Sequence, residues 1–220
     1  MGHFFDVNNP VWSFIGKIFD AFVLHLLWLV FSLPLVTFGA STAALYYALI
    51  KDIRDEEGHY VRAFLKSFRT NLKQGICIGV PDLLIGVLLA LAFRFYLLFP
   101  GESVGNASIN YIILLPALPY LFFNRYIFAY LGIFSDSVRN LLKGAFFMMM
   151  GHLGRTLLMT LIFCSFYFLV VYFELWPVLI FGYGLVAYLN AHILNGIFSP
   201  YIARIREKTE GEGKETEAEE

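Results

Sequence analysis

The sequence predicts an all-α fold, a polytopic transmembrane helical bundle, and three observations predict it. Apolar residues fill 59% of the 220 positions, aromatics 18% and charged residues only 15%, more hydrophobic surface than one soluble core can hide. Long, nearly uncharged runs recur at about 18–38, 74–99, 109–134, 156–173 and 177–199, each near or above the roughly 20 residues that cross a hydrocarbon core. Between these runs Lys and Arg are unevenly partitioned, as loops on opposite sides of a membrane require. The expected architecture is about six membrane helices, the second of them short, plus one or two amphipathic interfacial helices. A single transmembrane domain over 1–206 is followed by an acidic tail over 207–220.

The first run does not read as a cleavable leader, because it carries Trp28 and Pro34, lacks a strongly basic start and is followed by more membrane sequence. Asp6 stands where an N-myristoylation pattern requires Ser or Thr. The segment 51–73 holds Lys51, Arg54, Arg62, Lys66, Arg69 and Lys73, the segment 135–155 holds Arg139, Lys143 and Arg155, and the end holds Arg204, Arg206 and Lys208. The stretch 100–108 and the turn from Glu174 to Pro177 hold no positive residue, so they belong outside and both termini belong in the cytoplasm.

With Lys17 also inside, an even number of crossings must precede Lys51. The run SLPLVTFGASTAALYYALI provides for this: Pro34 and Gly39 interrupt the apolar pattern and Ser41 or Thr42 can cap a new helix. The reading is a hairpin, helix 1 over about 12–33 and a short helix 2 over about 41–55 whose outer end sits below the membrane surface. Ala40, Ala44 and Ala48 form a small-residue stripe for close packing. A five-span chain with the N-terminus outside is the competing model.

In YVRAFLKSFRTNLK, Val61, Phe64, Leu65, Phe68 and Leu72 recur at helical spacing while Arg62, Lys66, Arg69 and Lys73 trace the opposite face. This predicts an amphipathic helix lying on the inner leaflet, anchored to anionic lipid or docking a cytoplasmic partner. SVRNLLKGAFFMMMGHLGRTL occupies a similar place before the fourth run and is less basic. From Glu207 the chain carries seven Glu against Lys208 and Lys214 and no aromatic or branched apolar residue, which predicts disordered cytosolic chain.

Ionisable groups inside spans are costly in lipid unless paired or hydrated. Asp82 and Arg125 fall at similar depth, which predicts a salt bridge between them, direct or through water, and Asn124 and Asn190 add polar groups near that level. Tyr188, His192, Asn195 and Ser199 form a polar stripe expected to face protein or water. Asp82, Asn124, Arg125, Asn190, His192 and Asn195 together make the candidate intramembrane polar cluster. His25, Cys77 and Cys164 read as interior groups, and Gly75 with Gly79 as a GxxxG crossing.

No HExxH, GxSxG, P-loop or CxxC occurs, and DEEGH at 55–59 lacks metal-ligand spacing, so no catalytic residue, metal or cofactor is expected. Nucleic-acid binding has no support beyond the basic stripe, which the membrane explains.

FFDVNNPVW, SLPLVTFGASTAALYYALIKDIRDEEG and AFLKSFRTNLKQG together resemble the YesL family of bacterial membrane proteins, a family of unknown function, densely over about 3–75. The resemblance implies an integral protein of the bacterial cell membrane whose relatives are often encoded beside carbohydrate-uptake permeases, glycan hydrolases and sensor kinases. The expected function is a non-enzymatic accessory or regulatory component of carbohydrate uptake or sensing, with a sugar ABC permease or a sensor kinase as partner. The basic helix at 60–73 is not followed by the Ile-x-Leu-Pro ending of a permease coupling loop. The alternative is a small solute transporter or channel with a polar intramembrane cavity.

Overall fold

The computed structural model describes residues 10–54, 59–98, 115–134 and 136–218. Among them stand seven α-helices and no strand: α1 (Pro10–Ser32), α2 (Phe38–Ile53), α3 (Tyr60–Leu98), α4 (Ala117–Ile133), α5 (Val138–Gly151), α6 (Leu153–Tyr172) and α7 (Trp176–Ala218), with a short 3-10 turn at Leu35–Thr37. The acidic turn at 55–58 and the stretch 99–114 lie outside the described residues.

The expected hairpin is present. Pro34 has no N–H to continue α1 and biases its neighbour away from helix, and Thr37 Oγ1 donates to the Phe31 and Pro34 carbonyls at 2.6 and 2.8 Å, satisfying acceptors that the helix end leaves open. Ser41 and Thr42 do not cap α2, which starts at Phe38. They bond back to the Phe38 carbonyl and across to α1, where Trp28 Nε1 donates to Thr42 Oγ1 at 3.0 Å and Ser32 and Ser41 share a 2.6 Å hydroxyl bond. The tip is apolar and exposed at Leu33, Leu35 and Val36.

Helix α2 forms the centre of the bundle. Ala40, Ala44 and Ala48 are completely buried, as their spacing predicts. Backbones meet where the small residues allow it: a Cβ on Gly75 would stand 2.6 Å from the Ala40 backbone, and one on Gly79 2.8 Å from Gly39 Cα. Gly132 of α4 lies equally close to the Ala43 carbonyl. The GxxxG pair is thus the α2–α3 crossing. Around it Phe64, Tyr126, Phe128, Leu131, Leu194 and Phe198 close the core.

The interfacial helix expected at 60–73 is not a separate element. It continues without a break into the long apolar run as one helix of 39 residues, about 58 Å at 1.5 Å per residue. Nothing between Lys73 and Gly75 breaks a helix, and propagation costs less than a new nucleus. Part of its apolar stripe covers protein: Phe64 is buried and Phe31 of α1 meets Phe68 at 4.8 Å between ring centroids, while Val61 is exposed. Arg62, Lys66, Arg69 and Lys73 all remain exposed on the other side.

Helix α5 is a separate amphipathic element, burying Leu141, Ala145, Met148 and Met149 while Phe146, Phe147 and Met150 face outward. Helix α7 stays helical through the acidic stretch to Ala218, where composition predicts disorder. The apolar part supplies the nucleus, and Glu, Lys and Ala propagate a helix well.

Among the described residues two helical segments, Tyr60–Phe95 and Leu153–Tyr172, are long and apolar enough to cross a membrane. Only 11% and 22% of their apolar windows are buried, so neither is the core helix of a soluble domain.

Candidate functional site

Past its crossing with α2 at Gly79, α3 lines a cleft of about 420 Å³. Helix α3 contributes Asp82, Gly86 and Val87, α4 contributes Tyr120, Asn124 and Arg125, and Trp28, Phe38, Phe163 and Tyr183 complete an aromatic wall.

Its polar end is built by residue spacing. Asn124 Nδ2 donates to Asp82 Oδ1 at 2.6 Å, and one helical turn away Tyr120 OH donates to the Asp82 backbone carbonyl at 3.1 Å. Gly86 permits this, since a Cβ there would stand 2.6 Å from the Tyr120 hydroxyl oxygen. Arg125 is buried. Its Nε donates weakly to the Leu121 carbonyl at 3.4 Å, and its guanidinium lies 4.2 Å from the centre of the Phe163 ring, a cation–π arrangement.

Asp82 and Arg125 therefore line the same cleft, as their depth predicts, but no direct ion pair joins them. Asn124 takes one carboxylate oxygen and Phe163 takes the guanidinium face. The rest of the candidate cluster does not converge here. Asn190 is buried outside the cleft lining, and its amide has no hydrogen-bond partner among the described residues. Asn195 Oδ1 accepts from Arg54 Nε at 2.6 Å and belongs to the end of the bundle where α2 stops. His192 is exposed. Positions 190 and 192 are separated by about 200° around a helix, so one cleft cannot hold both. Of the polar stripe, Tyr188 is buried while His192 and Ser199 face outward.

Sequence reasoning missed the aromatic members. Trp28 and Tyr183 meet at 5.0 Å between ring centroids, with the buried His25 stacked on Trp28 at 5.3 Å. Behind them lies a second cavity of about 330 Å³, lined by His25, Leu29, Phe166 and Tyr167 and sharing Trp28, Phe163 and Tyr183 with the first. Cys77 and Cys164, expected inside, are both exposed. Among the described residues no group of three or more His, Cys, Asp or Glu could hold a metal ion.

Residues 21–93 match a family model described as a protein of unknown function, DUF624. The match runs from Ala21 through the hairpin and most of α3, including Asp82 and Gly86, and stops before the α4 side of the cleft. No curated protein and no solved structure matches the chain.

Proposed function

We propose that this chain is a multi-pass protein of the cell membrane, with the α1–α2 hairpin, α3, α4, α6 and α7 as six membrane segments and both termini in the cytoplasm. Its role is that of an accessory or regulatory subunit. The exposed apolar surface of α3 and α6 supports the membrane location, because a water-facing surface of this kind would aggregate. The Lys and Arg content of the segments 51–73 and 135–155 supports the side they lie on as the cytoplasmic one.

One observation carries the accessory reading: the centre of the bundle is closed. Every residue from Gly39 to Tyr46 is buried, and Phe38, at the floor of the cleft, packs edge-on against Phe128 at 5.9 Å. A conduit needs polar groups lining a continuous path. The exposed stripe Arg62, Lys66, Arg69 and Lys73 offers a cytoplasmic partner a rigid basic ridge, with a groove of about 240 Å³ beside Lys66, Thr70 and Asn71. The resemblance to the YesL family supplies the class of partner, a sugar permease or a sensor kinase of carbohydrate uptake.

The test is crosslinking of the tail-tagged chain in intact membranes during growth on a complex glycan. The expected result is recovery of one permease or kinase, lost when the four basic residues are reversed in charge. Recovery of the chain alone contradicts the accessory role. The alternative, a small solute transporter, takes its support from the Asp82–Arg125 cleft and predicts solute uptake into liposomes.

A further inference from the structure

The cleft and the cavity behind it share Trp28, Phe163 and Tyr183 as walls, and their linings grade from polar to apolar. At one end stand a carboxylate and a guanidinium that form no direct ion pair among the described residues: Asp82 Oδ1 is taken by Asn124, and the Arg125 guanidinium lies over the Phe163 ring. Arg125 is only 8% exposed, so its charge is held in a nearly water-free wall, aimed into the cleft. At the other end the lining is Leu29, Phe166, Tyr167 and the shared Trp28, Phe163 and Tyr183, with little polar surface. Val87 of the cleft and Tyr167 of the cavity behind it are each about half-exposed.

We infer that this space takes one zwitterionic amphiphile, its anionic group on Arg125, its ammonium on Asp82 and its apolar body along the Trp28, Phe163 and Tyr183 wall. Charges inside a low-dielectric wall require partners, and a ligand carrying both signs meets each without changing the net charge of the site. A purely apolar occupant leaves Asp82 and Arg125 unanswered, and a small polar one leaves the aromatic cavity unfilled. Ammonium against the aromatic wall gains further from the ring faces. The inference requires the membrane location but not the accessory role.

The chain carries three Trp, so Trp12→Phe with Trp176→Phe leaves Trp28 as the reporter in the full-length, purified protein. Its emission is titrated with a short-chain phosphatidylethanolamine, with the phosphatidylglycerol of the same chains, which lacks the ammonium, and with free phosphoethanolamine, which lacks the chains. The expected result is a saturable change with the ethanolamine lipid at least about tenfold tighter than with either comparator, the scale of one lost charge-assisted hydrogen bond. Asp82→Asn should bring the ethanolamine lipid down to the glycerol lipid, and Arg125→Gln should weaken both. Val87→Phe, at an exposed position, should block the cleft while leaving the melting temperature unchanged.

Equal binding of the two lipids overturns the proposal, because the site then reads chains and not charges. Free phosphoethanolamine binding as tightly as the lipid also overturns it, in favour of a soluble zwitterion. So does the absence of a saturable change in protein whose melting transition is intact. None of these outcomes bears on partner capture by the basic ridge.

Discussion

The two halves of this molecule use the same helices for opposite purposes. Around α2, glycines and alanines bring backbones together until no Cβ fits, and hydroxyls are absorbed by local carbonyls and by each other. Past the crossing at Gly79, aromatic rings replace small residues, and a carboxylate and a guanidinium share a cleft without touching. Small residues thus mark where backbones pack closest, and large aromatics beside a carboxylate and a guanidinium mark where the packing opens. The contrast sets how much each kind of substitution should cost.

The largest effect is expected at the backbone crossing. Gly75→Val places a branched side chain where even a Cβ stands 2.6 Å from Ala40. The melting transition in detergent should fall by the equivalent of about 3 kcal/mol, the upper range for overpacking, and an unchanged transition would mean that α2 and α3 do not cross here. Next come the buried hydroxyl contacts. Tyr126 OH and Thr156 Oγ1 lie 2.9 Å apart, and Tyr126→Phe should cost about 1 kcal/mol, because Thr156 keeps its bond to the His152 carbonyl.

The cleft should respond differently. A double-mutant cycle of Asp82→Asn and Asn124→Ala should show a coupling of about 1 kcal/mol, whereas Asp82→Asn and Arg125→Gln should add within about 0.5 kcal/mol. Strong coupling in the second cycle would restore the direct salt bridge that depth alone suggests. The smallest effect belongs to the basic ridge. Each of Arg62→Glu, Lys66→Glu, Arg69→Glu and Lys73→Glu should change stability by no more than about 0.5 kcal/mol, leaving partner capture as the property that moves.

Much of this was legible in the sequence. The hairpin followed from Pro34 and the charge count, a close crossing from Gly75 and Gly79 and close packing of α2 from Ala40, Ala44 and Ala48, though not that the two meet, and the Asp82, Asn124 and Arg125 side of the cleft from depth along two spans. Other features were hidden for physical reasons. Periodicity gives the face of a helix but not what covers it, so the apolar stripe at 60–73 reads equally as a lipid anchor or as a protein contact, and Phe31 turns out to cover part of it. Depth gives the level of a side chain but not its azimuth, which is why His192 and Asn195 seemed to belong with Asp82. The aromatic wall had no sequence signal, since Trp28, Phe163 and Tyr183 come from three helices and each is ordinary in a membrane run.

The central claim is that a sealed inner bundle underlies an open outer cleft. With Cys77→Ser and Cys164→Ser as background, single cysteines are placed at Val87 in the cleft and at Ser41 and Ala48 in α2, and a membrane-impermeant maleimide is applied from each side of oriented vesicles. The expected result is labelling of Val87→Cys from the outside and of neither α2 position from either side. Labelling of Ser41→Cys or Ala48→Cys from the cytoplasmic side would reveal a water path through the bundle and contradict the account in favour of a transporter.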